Sequence, residues 1–178
     1  MSITFKSSNT CAELLYNKIL LLSRNKFFYT KFQLKDTFQN RINLIFFHIS
    51  FIFIILKDKK ENVKYKAFSQ KVFDIIFKKI ELNMREIGYG DTVINKNMKS
   101  LVKSFYNILL FCESFKNNTF EINSNFLFKE LKSNLSDNKI NNDFNKIIDY
   151  FDKYSAFCFD LTQDSVLKGE FNFKINEN

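Results

Sequence analysis

Apolar residues recur every three or four positions along most of this chain, and that spacing predicts helix nearly throughout. Over residues 64–87 the apolar positions are Phe68, Val72, Ile76, Ile80, Met84 and Ile87. Over 91–115 they are Ile94, Met98, Leu101, Phe105, Leu109 and Cys112. Each set makes one stripe that must be buried against another element. Similar stripes predict helices over 10–24, through Leu14, Leu15, Ile19 and Leu22, and over 141–159, through Phe144, Ile147, Ile148, Phe151 and Tyr154. A shorter helix is expected over 126–135. Residues 25–35 read as an aromatic connector, with Phe27, Phe28, Tyr29 and Phe32. After it, Asp36 or Thr37 caps a helix that runs to about Lys57.

Residues 44–56 within that helix are apolar on every face, interrupted only by His48 and Ser50. This run of 13 residues is shorter than the roughly 20 that cross a bilayer as a helix. A central helix buried in protein is therefore expected. The tail differs, because Phe171, Phe173 and Ile175 alternate with polar residues, as in a short strand or an extended arm. The Asn-rich stretch 138–142 reads as a loop. No internal repeat or long heptad run is present. The expected fold is all-α: a single globular helical domain over 1–178, with about six or seven helices and a short extended C-terminal arm.

Two of the three glycines lie between the two longest stripes, in Arg85-Glu86-Ile87-Gly88-Tyr89-Gly90-Asp91. Gly88 is expected to take the left-handed backbone that closes a helix. Gly90 is expected to let the chain turn again, and Asp91 to cap the next helix. The segment reads as helix, tight corner, helix, with Arg85, Glu86 and Asp91 crowded together.

Composition changes the picture little. The 24 Phe, with no Trp and no Pro, fit a genome whose codons favour Phe, Lys, Ile and Asn, and the rings are read as core filling. The net charge of +8 suits an anionic membrane face, a ribosome or nucleic acid, or follows from the same codon bias. Acids interleave with the bases, so no Lys/Arg stripe with stacking aromatics marks a nucleic-acid site. Three well-separated cysteines (Cys11, Cys112, Cys158) without a C-x-x-C pair suggest free thiols in a reducing compartment. Residues 1–8 lack an apolar core of the kind a secretory signal needs. A cytoplasmic chain, in peripheral contact with the inner face of the inner membrane, is expected.

The search for catalytic chemistry is nearly empty. One histidine excludes a metal site of two or three imidazoles, and the glycine corner lacks the third glycine of a dinucleotide loop. No enzyme activity, cofactor or metal is expected. His48, in mid-helix, is read as a hydrogen-bonded core histidine before a ligand. If the helices cross near the corner, Asp36, Arg41, His48, Arg85, Glu86 and Asp91 would join one polar network, either fixing helix geometry or forming a recognition patch.

The corner also resembles a known signature. Arg85, Glu86, Gly88, Gly90 and Asp91 match the Arg-Glu-hydrophobic-Gly-x-Gly-Asp corner of the ubiquinol–cytochrome c chaperone family. The likeness continues through Phe28-Tyr29, Asp36-Thr37, Arg41, His48, Gln70 and Asp74 before the corner, and Lys96, Phe105-Tyr106 and residues 131–134 after it. The family's glycine before Arg41 is Asn40 here, and its Gly-Arg after the Phe-Tyr pair is Asn107-Ile108. The resemblance implies an assembly chaperone for the cytochrome bc complex, without catalysis. It implies binding of newly made cytochrome b, or another apolar client, near the inner membrane, with contact to the ribosome as a further expectation. Asp36, Arg41, His48, Arg85, Glu86, Asp91, Lys96 and Tyr106 are the candidate binding residues. The rival readings are a ribosome-associated module and a lipid- or quinone-binding helical protein.

Overall fold

A computed structural model of the chain describes residues 8–57, 63–131 and 140–174. Among these residues there are eight helical segments and no sheet. They are α1 (Ser8–Ser23), the single turn α2 (Phe27–Thr30), α3 (Phe38–Lys57), α4 (Val63–Ile87), α5 (Asp91–Ser114), α6 (Phe120–Glu130), α7 (Ile140–Asp160) and α8 (Gln163–Leu167).

Helix α3 is the axis of the bundle. Its run from Ile42 to Ile52 is buried on every face, because α1, α4, α5, α7 and α8 all pack against it. Its 20 residues would suffice in length and composition to cross a bilayer, but 83% of its most apolar stretch is buried inside the protein. A helix that is apolar all round belongs in such a core. The phenylalanines of α3 reach three neighbours at once. Phe46 meets Phe77 of α4 and Phe105 of α5, at 5.6 and 5.3 Å between ring centres. Phe47 meets Phe111 of α5 and Phe151 of α7, at 6.2 and 5.1 Å. The pairs with Phe105 and Phe111 meet edge to face, an arrangement that the ring quadrupoles favour.

Helix starts and stops follow local chemistry. Thr37, the second of the two expected caps, accepts the Asn40 N–H at 3.2 Å. The buried Asn40 side chain then donates to the Lys35 carbonyl at 2.8 Å, tying the entering strand of chain to the first turn of α3. Just past the end of α4, Gly88 has φ +99°. The Tyr89 N–H returns to Met84 O at 3.1 Å and the Gly88 N–H to Arg85 O at 3.0 Å, the paired bonds of a Schellman closure. The long α4 and α5 thus meet at the expected elbow.

Several expectations need correction. Gly90 sits in ordinary extended backbone (φ −73°, ψ 157°), so no special freedom is needed there. It is the cap residue of α5, with no side-chain bond, and Asp91 is the first helical residue; the Asp91 carboxylate is drawn away to Arg85. Helix α6 begins at Phe120, six residues before the expected 126, because its inner face starts with the polar Asn123. That side chain is buried and donates to Phe115 O at 3.0 Å, which an apolar period does not register. Helix α7 begins at Ile140, inside the stretch read as a loop; residues 138 and 139 lie outside the described residues, as do 132–134. The connector holds the single turn α2, and the five-residue α8 is too short to show a period. Residues 171–174 take no regular structure and form the arm. Phe171 is buried, and the Phe173 ring packs 5.1 Å from Tyr154 and 5.9 Å from Tyr150. Ile175 lies outside the described residues.

Candidate functional site

The six residues expected to share one polar network do not form it; they fall into separate groups. His48 is sealed in the core. Its ring nitrogens face Leu44 O and Ser23 Oγ on one side, and the Tyr150 hydroxyl on the other. A carbonyl only accepts, so Nδ1 must carry the proton; Nε2 is then an acceptor and Tyr150 donates to it at 2.6 Å. Ser23 completes the pattern by donating its own proton to Ile19 O at 2.8 Å, which leaves its oxygen free to face Nδ1–H. Tyr154 donates to the His48 carbonyl at 3.0 Å. Burial pushes the imidazole down to about 4, against a smaller upward pull from Leu44 O. Burial likewise pushes Tyr150 and Tyr154 well above the ordinary phenol value, so both remain donors. The neutral histidine ties α1, α3 and α7 together and has no route to a ligand from solvent.

Asp36 and Arg41 form a second, exposed group. The guanidinium donates twice to the carboxylate, at 2.6 and 2.8 Å. These bonds hold the Asp36 carboxyl below the usual carboxylate range. The Tyr29 hydroxyl is buried beside the Arg41 guanidinium.

The corner forms the third group. Arg85 donates to Glu81 at 2.9 and 3.1 Å within α4, and to Asp91 across the corner at 2.6 Å. The pairs with Glu81 and then Asp91 raise the Arg85 guanidinium above its usual value. The clip pins the start of α5 to the end of α4. It leaves Ile87 (62% exposed) and Tyr89 (45% exposed) projecting into solvent. Exposed apolar side chains beside a fixed corner are what an interaction surface requires.

Two clefts flank this corner, separated by Phe38 at the start of α3. The first, about 210 Å³, lies between α1, α3 and α4. Leu20, Ile42, Ile45 and Ile80 are among its apolar lining, and Arg24, Arg41 and Glu86 are its charged residues. The second, about 330 Å³, lies between the start of α3 and the α4–α5 elbow and is lined by Met84, Tyr89, Asn97 and Leu101 among others. Arg41 and Glu86, from two different groups, thus meet at one cleft. Lys96 and Tyr106 do not join it. Both are exposed on α5, and Tyr106 stands roughly 22 Å along the helix from Asp91 at 1.5 Å per residue.

Sequence reasoning missed Arg24, and it missed Tyr150 as the partner of His48. Arg24 lies just past the last apolar position of α1 and no pattern marks it. Tyr150 and Tyr154 stand one turn apart on α7, a spacing that could have pointed to the lone imidazole. Among the described residues, no cluster of three or more His, Cys, Asp or Glu could hold a metal ion.

The model of the ubiquinol–cytochrome C chaperone family matches residues 30–173. The chain belongs to this family. The match takes in the corner, Arg41, His48 and the first stretch of the arm, but begins after α1. Among solved structures, the Cbp3 homolog from Brucella abortus has a similar fold. Its TM-score is 0.79 at 22% identity, covering 94% of this chain and 91% of that one. At that identity the likeness shows the fold alone, and the same all-helical architecture therefore extends over α1 as well. Comparison with curated proteins gives no match. Within the matched residues, the Asn40 side chain closes the first turn of α3 by donating to Lys35 O.

Proposed function

We propose that this member of the ubiquinol–cytochrome c chaperone family assists assembly of the cytochrome bc complex by holding newly made, unassembled cytochrome b. The family match over residues 30–173 carries this reading. The site supports it physically. An apolar helix of a client needs an apolar groove with a polar rim, the helix-in-groove mode of recognition. The cleft between α1, α3 and α4 supplies an apolar floor, the second cleft sets Met84 and Leu101 among the polar Gln39, Asn97 and Ser100, and Ile87 and Tyr89 extend the apolar surface past the corner. Arg41, Glu86 and the Arg85–Asp91 clip rim that surface, while His48 acts at a distance by fixing α1, α3 and α7.

The chain works at the inner face of the inner membrane. Lys96, Lys99 and Lys103 are exposed and fall close to one face of α5, with the half-exposed Tyr106 next along it. Such a face suits peripheral contact with anionic lipid headgroups, each basic residue near the surface adding about 1 kcal/mol. The net charge of +8 also favours a ribosome contact, which would weaken steeply as salt is raised.

The test is capture of the epitope-tagged protein from respiring cells during synthesis of the bc complex. Cytochrome b is expected in the captured material and the level of assembled complex is expected to fall when the gene is removed. Captured material free of cytochrome b, with normal complex in the deletion strain, would overturn the proposal.

A further inference from the structure

We infer that the cleft between α1, α3 and α4 anchors one acidic side chain of an otherwise apolar helical segment in the client, through Arg24 and Arg41. This rests on the client-binding reading above and adds the chemistry of what is bound.

Size excludes one class of occupant. At about 210 Å³ the cleft is smaller than the roughly 300–1,000 Å³ typical of small-molecule sites. A whole quinone or lipid would not be enclosed there, whereas one or two side chains of a docked helix would. Charge then selects among side chains. The rim carries two arginines and one glutamate, and the arginines come from different elements: Arg24 follows α1 and Arg41 lies in the first turns of α3. Among the described residues Arg24 has no carboxylate partner. Arg41 spends Nε and Nη2 on Asp36, which leaves Nη1 available. The two bonds to the Asp36 carboxylate hold the Arg41 guanidinium in place, so less entropy is lost when a second carboxylate arrives. A planar guanidinium at the rim of an apolar floor is suited to a carboxylate, because its N–H groups form a fork that matches the two oxygens. Glu86 stands on the α4 wall and repels an acid placed there, so the incoming carboxylate is directed toward α1 and α3. An acid within a membrane-bound client segment is costly to leave unpaired in an apolar setting. Covering it until the segment finds its own partner is a task that this cleft can perform.

The experiment uses the full chain and a defined probe: a fluorescent amphipathic peptide of about 18 residues, five turns of helix, with leucines at helical spacing and one central Glu, compared with the same peptide carrying Gln. The Glu peptide is expected to bind roughly tenfold more tightly, the usual size of a charge-assisted hydrogen bond. In Arg24→Gln and Arg41→Gln, both exposed positions with helix content expected to be unchanged, that preference should fall to about twofold or less. Glu86→Gln should instead strengthen binding of the Glu peptide. Equal binding of both peptides to the wild type, or a preference that survives both arginine variants, would overturn the inference. So would loss of binding to phosphatidylglycerol vesicles in Arg24→Gln with peptide binding intact, because the cleft would then serve a headgroup. Capture from cells separates this inference from its parent. Wild-type protein that brings down no cytochrome b removes the chaperone reading; an Arg24→Gln, Arg41→Gln double variant that brings it down undiminished removes only the anchor.

Discussion

Lowering the pH from 7 to 4 should cost the protein about 3 kcal/mol through His48 alone. The unfolded chain takes up an imidazole proton near 6.5, whereas burial delays that uptake to about 4 in the folded protein. Between those values the unfolded state holds one more proton, so stability falls as pH falls, at about 1.4 kcal/mol per pH unit. The contribution is fully present above 6.5 and has been lost below 4. The atomic reason is that Nε2 accepts the Tyr150 proton and Nδ1–H already faces Leu44 O. A second ring proton would meet a donor in a site closed to solvent. Urea titrations followed by circular dichroism, on wild type and His48→Gln between pH 7.5 and 4, isolate the effect from the carboxylates common to both. The stability gap between the two proteins should shrink by about 3 kcal/mol across that range. As the chain has one histidine, its imidazole C2–H resonance gives a second reading free of assignment. Parallel stability curves, or a resonance that titrates at pH 6 or above, would refute the reasoning.

Removing the hydroxyl in Tyr150→Phe leaves Nε2 buried without a donor and should cost roughly 1–3 kcal/mol in the same titration at pH 7.5. Gly88→Ala places a Cβ at φ +99° and should destabilise by about 1–2 kcal/mol, while Gly90→Ala, with no atom within 4 Å of the new Cβ, should be neutral or slightly stabilising. Thermal melts of the two variants moving together would contradict that contrast. Thr37→Ala removes the cap of α3 and should lower stability by about 0.5–2 kcal/mol, seen as a fall in melting temperature without change in helix content.

The elements with strong periods were the legible ones. Helices α4 and α5 appear within a residue or so of their expected ends, because their stripes, Ile87 excepted, are largely buried against α1 and α3, and Gly88 closes α4 as its chemistry requires. Helix α6 was displaced because Asn123, a polar residue, occupies the first inner position of its buried face. The site was less legible, and for a related reason. Helical spacing says which residues share a face of one helix, but Arg24, Arg41 and Glu86 come together only through the packing of three elements. The expectation of one network joining His48 to the corner failed on burial: Arg85, Glu86 and Asp91 are all exposed, while His48 is fully enclosed. The signature that carries the family resemblance placed the corner itself, though not the exposure of its charged groups.

Burial also explains why the two parts of the pattern demand such different residues. A core position such as His48 must satisfy each polar atom within the protein, and it does so with two carbonyl or hydroxyl neighbours and one phenol, so its freedom to vary is limited by the fold. The corner faces water, where ion pairs add little stability and where Arg85 is not needed to hold the core. Its value there is geometric. By bridging Glu81 and Asp91, Arg85 fixes the direction in which α5 leaves α4, and with it the positions of Ile87 and Tyr89. A loose corner would let those apolar side chains fold back onto the nearest hydrophobic surface, as exposed apolar groups tend to do. Held by the clip and the Schellman closure, they stay available beside the two clefts. The polar residues of the signature are then best understood as devices that keep apolar surface exposed without collapse, which is what the proposed binding of apolar segments would require.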